Sequence, residues 1–365
     1  MSSHSTANAS SRHSREGDTP MHAYLYQMVE MGIIRILLEK RVFKEIPEEG
    51  ISLDELAKRA NIQFNLLERF ANVLIASQVF ESPSPGIITH TPITRMFQSD
   101  FAELFYSHIY DCFAPSAAKW PEYFAEHGMQ EPQKSNLSPF GLGSGYPDKS
   151  LYEILDLMPE RAKKFNEAMA FSMGEMPILG MYDFSWIGER AKTPEAAGRT
   201  LIVDIGGGKG QALRAILEET RAIPPAQCVL QDQEKVLREA EEDTGILAAV
   251  KKVPIHFFQE HPVKGALVYY IRRVLNDWPD DEAVQILRHV RKACSPDSRL
   301  LISENLLPNE PSLKLAAIDV WFMNFGGKRR NERHFKEIGA RAGFKISNIF
   351  RDLKADSAVL ELVPI

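Results

Sequence analysis

The residues best placed to bind a ligand form a glycine-rich turn between an apolar segment and a helical pattern. Thr200–Ile205 is apolar apart from one acid, the turn Gly206–Gly210 reads GGGKG, and a helix is predicted from Gln211. Glycines at such a turn let a ligand approach the backbone closely, and a helix N-terminus favours negative groups. The glycine pattern alone is weak evidence, but Asp204 adds a carboxylate that suits a cationic group of the ligand.

A second set of residues could act on a substrate without a strong base. Asn276 and Asp277 are adjacent, Glu304 follows an apolar segment, Arg329 lies in a basic run, and His108 lies in an aromatic stretch. The carboxamide of Asn276 has no titratable lone pair near neutral pH, so it is not a general base. Together these groups could polarise a carbonyl or assist loss of water by stabilising developing charge. His108 could equally be structural.

The elements that would position these residues alternate between strand and helix in the C-terminal half. Buried-type strands are predicted at Thr200–Ile205, Cys228–Gln231, Leu267–Tyr270 and Leu300–Ser303, with helices at Gln211–Glu219 and Asp281–Ala293. Alternating strands and helices predict an α/β fold with a doubly wound parallel sheet.

The N-terminal part has the pattern of a winged helix. Ser52 and Glu55 form a capping box, a second helix runs through Leu66–Leu74, and a hairpin is predicted around a Ser-Pro-Ser-Pro-Gly turn. A winged helix can bind DNA, but the second helix lacks the basic stripe that phosphate contact requires. Further along, Ser135–Ser150 is rich in Gly, Ser and Pro and is predicted to be a loop.

The bulk composition excludes several classes of function. A net charge of -6 and a pI near 6.0 argue against nucleic acid or anionic membrane as the partner. The three cysteines are widely spaced and fit no metal-ligand pattern, so no metal is expected. No apolar run is long enough to span a membrane, and residues 1–20 are predicted to be a disordered tail rather than a secretory signal. We therefore expect a soluble, cytoplasmic protein.

The segment Tyr269–Asp281, with the sequence YYIRRVLNDWPDD, resembles a signature of the plant and fungal small-molecule O-methyltransferases. The resemblance covers nearly the whole chain from about residue 21 and implies the caffeate-type architecture. A winged-helix-like dimerisation domain at 21–115 would be followed by a helical linker and pocket segment at 116–195 and a Rossmann-like domain at 196–365. The expected assembly is a homodimer, formed through the N-terminal domain, that acts on a small molecule.

The resemblance also implies S-adenosyl-L-methionine (SAM) as the cofactor. The glycine turn resembles the SAM loop rather than the dinucleotide fingerprint, and Asp232 would bind the ribose hydroxyls, unless it is only a solvated turn residue. His256 stands where the family has an acid near the adenine, and Arg272 aligns with a basic residue that approaches the adenine. The expected cofactor contacts are Asp204, Gly206, Gly208, Gly210, Asp232, His256, Phe257 and Arg272.

The expected substrate pocket rests on a helix pattern. Phe165-Asn166-x-x-Met169 resembles the helix that walls the pocket in these enzymes, although such apolar stripes are more often core. The expected lining residues are Phe165, Met169, Met173, Phe322 and Met323, together with the partner chain.

Two replacements at the reaction site point to a changed function. In the family a histidine flanked by two acids removes the substrate proton, whereas here Asn276 replaces the histidine and Arg329 the second acid. This pattern resembles the O-methyltransferase-like pericyclases of fungal 2-pyridone pathways, in which bound SAM need not donate its methyl group. It implies dehydration of a pyridone alcohol to a quinone methide, followed by hetero-Diels–Alder or Alder-ene ring closure. The expected catalytic residues are Asn276, Arg329, His108, Glu304 and Asp277.

Two alternatives remain open. A true O- or N-methyltransferase could act on an acidic hydroxyl, because proximity to the methyl group would supply much of the rate. A non-catalytic dimer partner or scaffold is disfavoured by the retained glycine loop.

Overall fold

The computed structural model describes residues 18–172, 176–240, 245–352 and 355–365, and the side chains of 169–172 lie outside the described part. The chain divides into two compact units. The first consists of the residues up to Ala114 together with Pro159–Ser172, and the second of Pro115–Met158 together with the chain from residue 173 onward.

The elements are numbered in chain order. The helices are α1 (Pro20–Glu39), α2 (Leu53–Ala60), α3 (Phe64–Ala76), α4 (Pro92–Met96), α5 (Asp100–Ala118), α6 (Trp120–His127), α7 (Pro139–Gly143), α8 (Leu151–Leu157), α9 (Pro159–Ser172), α10 (Ser185–Ala191), α11 (Gln211–Glu219), α12 (Glu234–Ala240), α13 (Asp280–Ala293), α14 (Leu313–Met323) and α15 (Glu332–Arg341). The strands are β1 (Ile51–Ser52), β2 (Phe80–Glu81), β3 (Ile87–His90), β4 (Ile202–Ile205), β5 (Cys228–Gln231), β6 (Lys251–Lys252), β7 (Val268–Arg272), β8 (Arg299–Asn305), β9 (Phe344–Arg351) and β10 (Ser357–Pro364).

The second unit is built on a seven-stranded sheet in the order β6-β5-β4-β7-β8-β10-β9. The pairs from β6 to β8 are parallel, while β10 is antiparallel to both β8 and β9. The chain leaves β4 toward β5 on one side and returns to β7 on the other. In such sheets ligands bind at the carboxyl ends of the strands where the order reverses, which is the β4–β7 position here.

Side-chain alternation along these strands gives the sheet a core on each face. Val203 and Ile205 pack into one core with α13 and α15, whereas Ile202 packs into the other with α10 and α11. A sheet buried on both faces explains the continuous apolar character of these strands in the sequence. The predicted α/β, Rossmann-like class is confirmed.

The first unit contains two helices followed by a small sheet. The hydroxyl of Ser52 accepts a hydrogen bond from the backbone N–H of Glu55 at the start of α2, as the capping box predicts. The strands β1, β3 and β2 form an antiparallel sheet beside α2 and α3, which matches the predicted helices and hairpin.

The predicted loop at Ser135–Ser150 is not wholly irregular. It contains α7, whose first turn is capped by Ser138, with the hydroxyl accepting a hydrogen bond from the backbone N–H of Gly141. A capping serine followed by Pro139 is a helix start, and the glycines inside the segment masked it in the sequence. Among the described residues, no helix combines the length and the apolar character needed to cross a bilayer.

Candidate functional site

The cofactor cradle begins with a buried acid at the end of β4. Asp204 is 1% exposed, and neither carboxylate oxygen has a hydrogen-bond partner of normal geometry among the described residues. Burial raises the pKa of Asp204 to about 7, against the opposing charge of Arg272. A buried carboxylate without a donor is unfavourable unless a ligand supplies one, so Asp204 is placed to receive a cationic group.

The glycines after β4 are required for two different reasons. Gly206, Gly208 and Gly210 have φ values of +68°, +58° and +83°, a conformation that L side chains rarely adopt. Gly207 has an ordinary φ, but a Cβ there would lie 2.4 Å from Asp204 Oδ2 and 2.6 Å from Leu230 Cδ1. The turn therefore needs glycine at position 207 because a side chain would not fit there. It needs glycine at positions 206, 208 and 210 because of their backbone conformation.

The acid after β5 is bound to the same turn. The backbone N–H of Gly208 donates to Asp232 Oδ2 at 2.9 Å, and that of Gln233 donates to Oδ1 at 2.7 Å. Each carboxylate oxygen can accept a further hydrogen bond, so Asp232 can still bind hydroxyl groups. This position is therefore more than a solvated turn residue.

The remaining predicted cofactor contacts differ in their surroundings. Phe257 packs over the glycine turn, because a Cβ on Gly206 would lie 3.1 Å from its ring. His256 is exposed, and its Nδ1 accepts a weak hydrogen bond from the Phe258 N–H at 3.4 Å. Arg272 donates to the carbonyl of Met176 at 2.6 Å, and its charge acts on both Asp204 and Glu304.

The predicted reaction site lies on a 3₁₀ turn, Leu275–Asp277, that follows β7. Asn276 Nδ2 donates to Asp277 Oδ1 at 2.7 Å, and the Tyr152 hydroxyl donates to Asp277 Oδ2 at 2.8 Å. Because an ionised carboxylate only accepts hydrogen bonds, the amide nitrogen of Asn276 must face it, which turns the amide oxygen away. Burial raises the pKa of Asp277, although both hydrogen bonds act in the opposite direction.

The backbone of this turn is held by the loop after α14. The buried Arg330 donates to the carbonyls of Leu275 and Trp278 at 2.5 Å and 2.8 Å, and the Lys328 N–H donates to the carbonyl of Asn276 at 2.8 Å. A Cβ on Gly327 would lie 2.4 Å from that same Asn276 oxygen. The loop that carries Arg329 is therefore packed directly against the turn that carries Asn276.

Glu304 and Arg329 complete the charges of the site. Glu304, on β8, is 2% exposed, and burial raises its pKa to about 7 against the opposing charge of Arg329. The backbone N–H of Arg329 donates to Asp319 at 2.7 Å, and its guanidinium carbon lies 5.3 Å from the ring centre of Phe322. The second unit thus brings together four of the five predicted catalytic residues.

The fifth, His108, belongs to the first unit, where it is buried on α5. Its ring meets that of Phe165 edge-on at 5.4 Å, and its Nδ1 lies 3.5 Å from Cys112 Sγ. Burial, together with the charge of Arg161, lowers the pKa of His108 to about 4, so the imidazole is neutral at pH 7. Its part in catalysis remains a prediction.

A family model for the O-methyltransferase domain matches residues 144–345. Methyltransferase pvhD of Talaromyces variabilis is 64% identical over 349 residues, which cover 96% of this chain and 97% of the relative. The chain belongs to the O-methyltransferase family. The cofactor of this family is SAM, which agrees with the buried acid and the glycine turn.

Solved structures show the same fold. OxaC in complex with SAH and oxaline superposes with a TM-score of 0.83 at 23% identity, covering 95% of this chain and 88% of OxaC. A pericyclic reaction enzyme superposes with a TM-score of 0.75 at 21% identity, covering 96% of this chain and 90% of that enzyme.

The predicted pocket of this O-methyltransferase family member is described in part. Phe322 and Met323 are half-buried at the end of α14, and Phe165 is half-buried on α9. The side chain of Met169 and the whole of Met173 lie outside the described residues.

Sequence reasoning missed three residues that shape the site. Gly207 was not distinguished from its neighbours, Tyr152 is distant in sequence from Asp277, and Arg330 was not singled out from the basic run that contains Arg329. The sequence held a signal only near Arg330, where the double glycine before Lys328 indicates a close backbone approach.

Proposed function

We propose that this protein transfers the methyl group of SAM to an oxygen or nitrogen atom of a small acidic molecule. The observation that carries the proposal is the buried, unpartnered carboxyl of Asp204 beside the glycine turn, which fits the cationic cofactor. The relative from Talaromyces variabilis, named a methyltransferase, supports it because it matches nearly the full length of both chains.

The chain's own residues hold the cofactor. Asp204 accepts hydrogen bonds from the ammonium group, Asp232 accepts them from the ribose hydroxyls, and Phe257 covers an apolar edge of the cradle. Bound SAM supplies an electrophilic methyl carbon on a sulfonium.

An acidic acceptor follows from the charges of the reaction site. Asn276 does not act as a base, and its amide nitrogen is already bound to Asp277. Arg329 places a permanent cation where the resemblance would put an acid, and an arginine stabilises an anionic oxygen by charge-assisted hydrogen bonds. An acceptor that gives up its proton readily needs no histidine, and positioning next to the methyl carbon can supply much of the rate.

A second candidate is the dehydration of a 2-pyridone alcohol followed by pericyclic ring closure. The observation that favours it is Glu304, because a buried carboxyl with a pKa of about 7 is partly protonated and can give a proton to a departing hydroxyl. Arg329 would then polarise the pyridone carbonyl.

The test compares two probes with the purified full chain and SAM. The first is 4-hydroxy-2-pyridone, and the second is the same ring bearing an alkenyl alcohol side chain. A mass gain of one CH₂, with formation of SAH, supports methyl transfer, and the Asp204→Asn variant should abolish that gain. Loss of one water from the second probe, with a new ring and unconsumed SAM, supports the second candidate instead. No product from either probe would count against both.

The first unit is proposed to pair with a second copy of the chain. Apolar side chains of α1 are exposed, with Met28 at 73%, and they include Met21, Tyr24, Leu25 and Val29. Exposed apolar patches of this kind mark interaction surfaces. Met28→Glu should shift the mass measured by light scattering from dimer to monomer. Met129→Glu, a change at an exposed methionine of the second unit, should leave the mass unchanged, and identical masses for all three proteins would contradict the proposal.

A further inference from the structure

Glu304 is a buried acid whose hydrogen-bonding capacity is not used up within the protein. Its side chain is 2% exposed, and Oε1 has no hydrogen-bond partner among the described residues. Buried polar atoms are nearly always paired, and the unpaired carboxyl oxygen at the predicted reaction site can accept a hydrogen bond from a bound molecule.

The charged groups that act on Glu304 come from three segments of the second unit. Arg329 and Arg330 approach from the loop after α14, Asp277 from the 3₁₀ turn, and Arg273 from the end of β7. Within β7 itself, the charge of Arg272 also interacts with Glu304. Arg273 has a φ of +56°, so its backbone is strained where it enters this cluster.

These charges act in opposite directions on the carboxyl. The arginines favour the ionised form and Asp277 favours the protonated form, while burial has the largest effect and raises the pKa to about 7. A base whose pKa is near the working pH combines a sizeable ionised fraction with a useful affinity for the proton.

We propose that Glu304, rather than a histidine, takes the proton of the methyl acceptor, and that this base selects acceptors with an acidic O–H or N–H. The inference rests on the proposed methyl transfer and names the proton acceptor for it. Arg329 then stabilises the anion that Glu304 generates.

The O–H or N–H bond of the acceptor breaks, and its proton passes to Oε1 of Glu304, directly or through one water. The electron pair left on the acceptor forms the new bond to the methyl carbon, while the pair of the broken C–S bond stays on sulfur as a neutral thioether. The proton leaves Glu304 for solvent after the product departs.

The selection of acidic acceptors follows from matching acidities. Proton transfer between groups of similar pKa costs almost no free energy. An ordinary phenol has a pKa of about 10, so its proton would lie on Glu304, leaving the phenol ionised, for only about one thousandth of the time. A neutral alcohol would not ionise at all in this site.

The first readout needs no acceptor. Infrared difference spectra of the full chain between about pH 5 and about pH 9 should show protonated carboxyl absorption from Asp204 and Glu304 that disappears near neutral pH, and Glu304→Gln should lack the Glu304 component alone. Glu361→Gln is the matched control, because Glu361 is also buried but has a lowered pKa, so its removal should leave that absorption unchanged. Carboxyl absorption in Glu304→Gln that equals that of the wild type would overturn the inference.

The second readout uses two probes of different acidity, 4-hydroxy-2-pyridone and its 3-nitro derivative, whose hydroxyl ionises without help. With the first probe, Glu304→Gln should lower kcat/KM by about 100-fold or more and abolish the rise in rate up to neutral pH. With the nitro probe, the variant and the wild type should differ by less than about tenfold, because no base is needed. SAH affinity should stay within about twofold in Glu304→Gln, which excludes general misfolding.

The outcomes separate the two proposals. An equal loss of rate with both probes would overturn the role of Glu304 as the base while leaving methyl transfer intact. If the wild type methylates neither probe, the proposed function fails. In that case a carboxyl band that titrates near neutral pH would fit the role of Glu304 as an acid in dehydration.

Discussion

The sharpest prediction concerns the glycine that the sequence pattern did not distinguish. In Gly207→Ala the new methyl group would lie 2.4 Å from Asp204 Oδ2, 2.6 Å from Asp204 Cγ and 2.6 Å from Leu230 Cδ1. Leu230 is fully buried in the core, so it has no space into which to retreat, and the carboxyl of Asp204 must move instead. Because φ at Gly207 is ordinary, the effect is one of space alone.

The size of the effect depends on whether SAM is bound. Without the cofactor, Asp204 can rotate away from the methyl group and relieve most of the overlap. With the cofactor, Asp204 must return to the ammonium group, and overpacking of this kind costs about 1–3 kcal/mol. The affinity for SAM should therefore fall by about 5-fold to 150-fold.

The assay is calorimetric titration of the purified chain with SAH, alongside thermal unfolding without ligand. Gly32→Ala on α1 is the control, since the nearest atom to its new Cβ is 3.6 Å away and its affinity should equal that of the wild type. Wild-type affinity in Gly207→Ala would refute the assignment of Asp204 as the ammonium acceptor. A large fall in the unfolding temperature without ligand would show that Asp204 does not rotate away.

Three further outcomes are expected. Tyr152→Phe leaves one buried oxygen of Asp277 without its donor, which should lower the free energy of unfolding by about 1–3 kcal/mol in denaturant titrations and lower kcat more than it raises KM for SAM. Arg329→Ala removes the cation that holds the anionic acceptor, so KM for 4-hydroxy-2-pyridone should rise by about tenfold to 100-fold in initial-rate assays, and an unchanged KM would contradict this role. Burial raises the pKa of Glu304 to about 7, so the folded chain binds the proton that the unfolded chain releases between about pH 4 and about pH 7. Relative to Glu304→Gln, the wild-type unfolding temperature should therefore fall as the pH rises through that window, and parallel curves for the two proteins would show that Glu304 is ionised throughout.

The sheet could be predicted because each element has a local signal. The helix α11 and the strand β5 have the predicted bounds, since an apolar run, a glycine turn and an amphipathic repeat occur there in direct succession. The reaction turn could be located because Asn276 and Asp277 belong to a signature that is contiguous in sequence. Local order of this kind is visible without any knowledge of tertiary contacts.

The contacts that hold the site could not be predicted because they join segments far apart in sequence. Tyr152 and Asp277 are separated by 125 residues, and Arg330 and Leu275 by 55. A tyrosine after a capped helix start and an arginine in a basic run have ordinary surface explanations. Only the folded structure shows that both residues hold the turn Leu275–Asp277. Tyr152 binds the side chain of Asp277, and Arg330 binds backbone carbonyls.

The two replacements at the reaction site are easier to understand together than separately. An imidazole beside Arg329 would lose its proton affinity, because a neighbouring cation disfavours its charged form and lowers its pKa. The same arginine also lowers the pKa of Glu304, but burial raises that pKa by more, so the carboxyl still has a pKa of about 7. Beside Arg329, Glu304 is therefore a better base than an imidazole would be, and Asn276 donates a hydrogen bond to Asp277 without adding a charge. The resulting site suits an acceptor that binds its proton weakly and becomes an anion when it loses that proton. Such an acceptor is an acidic O–H or N–H group.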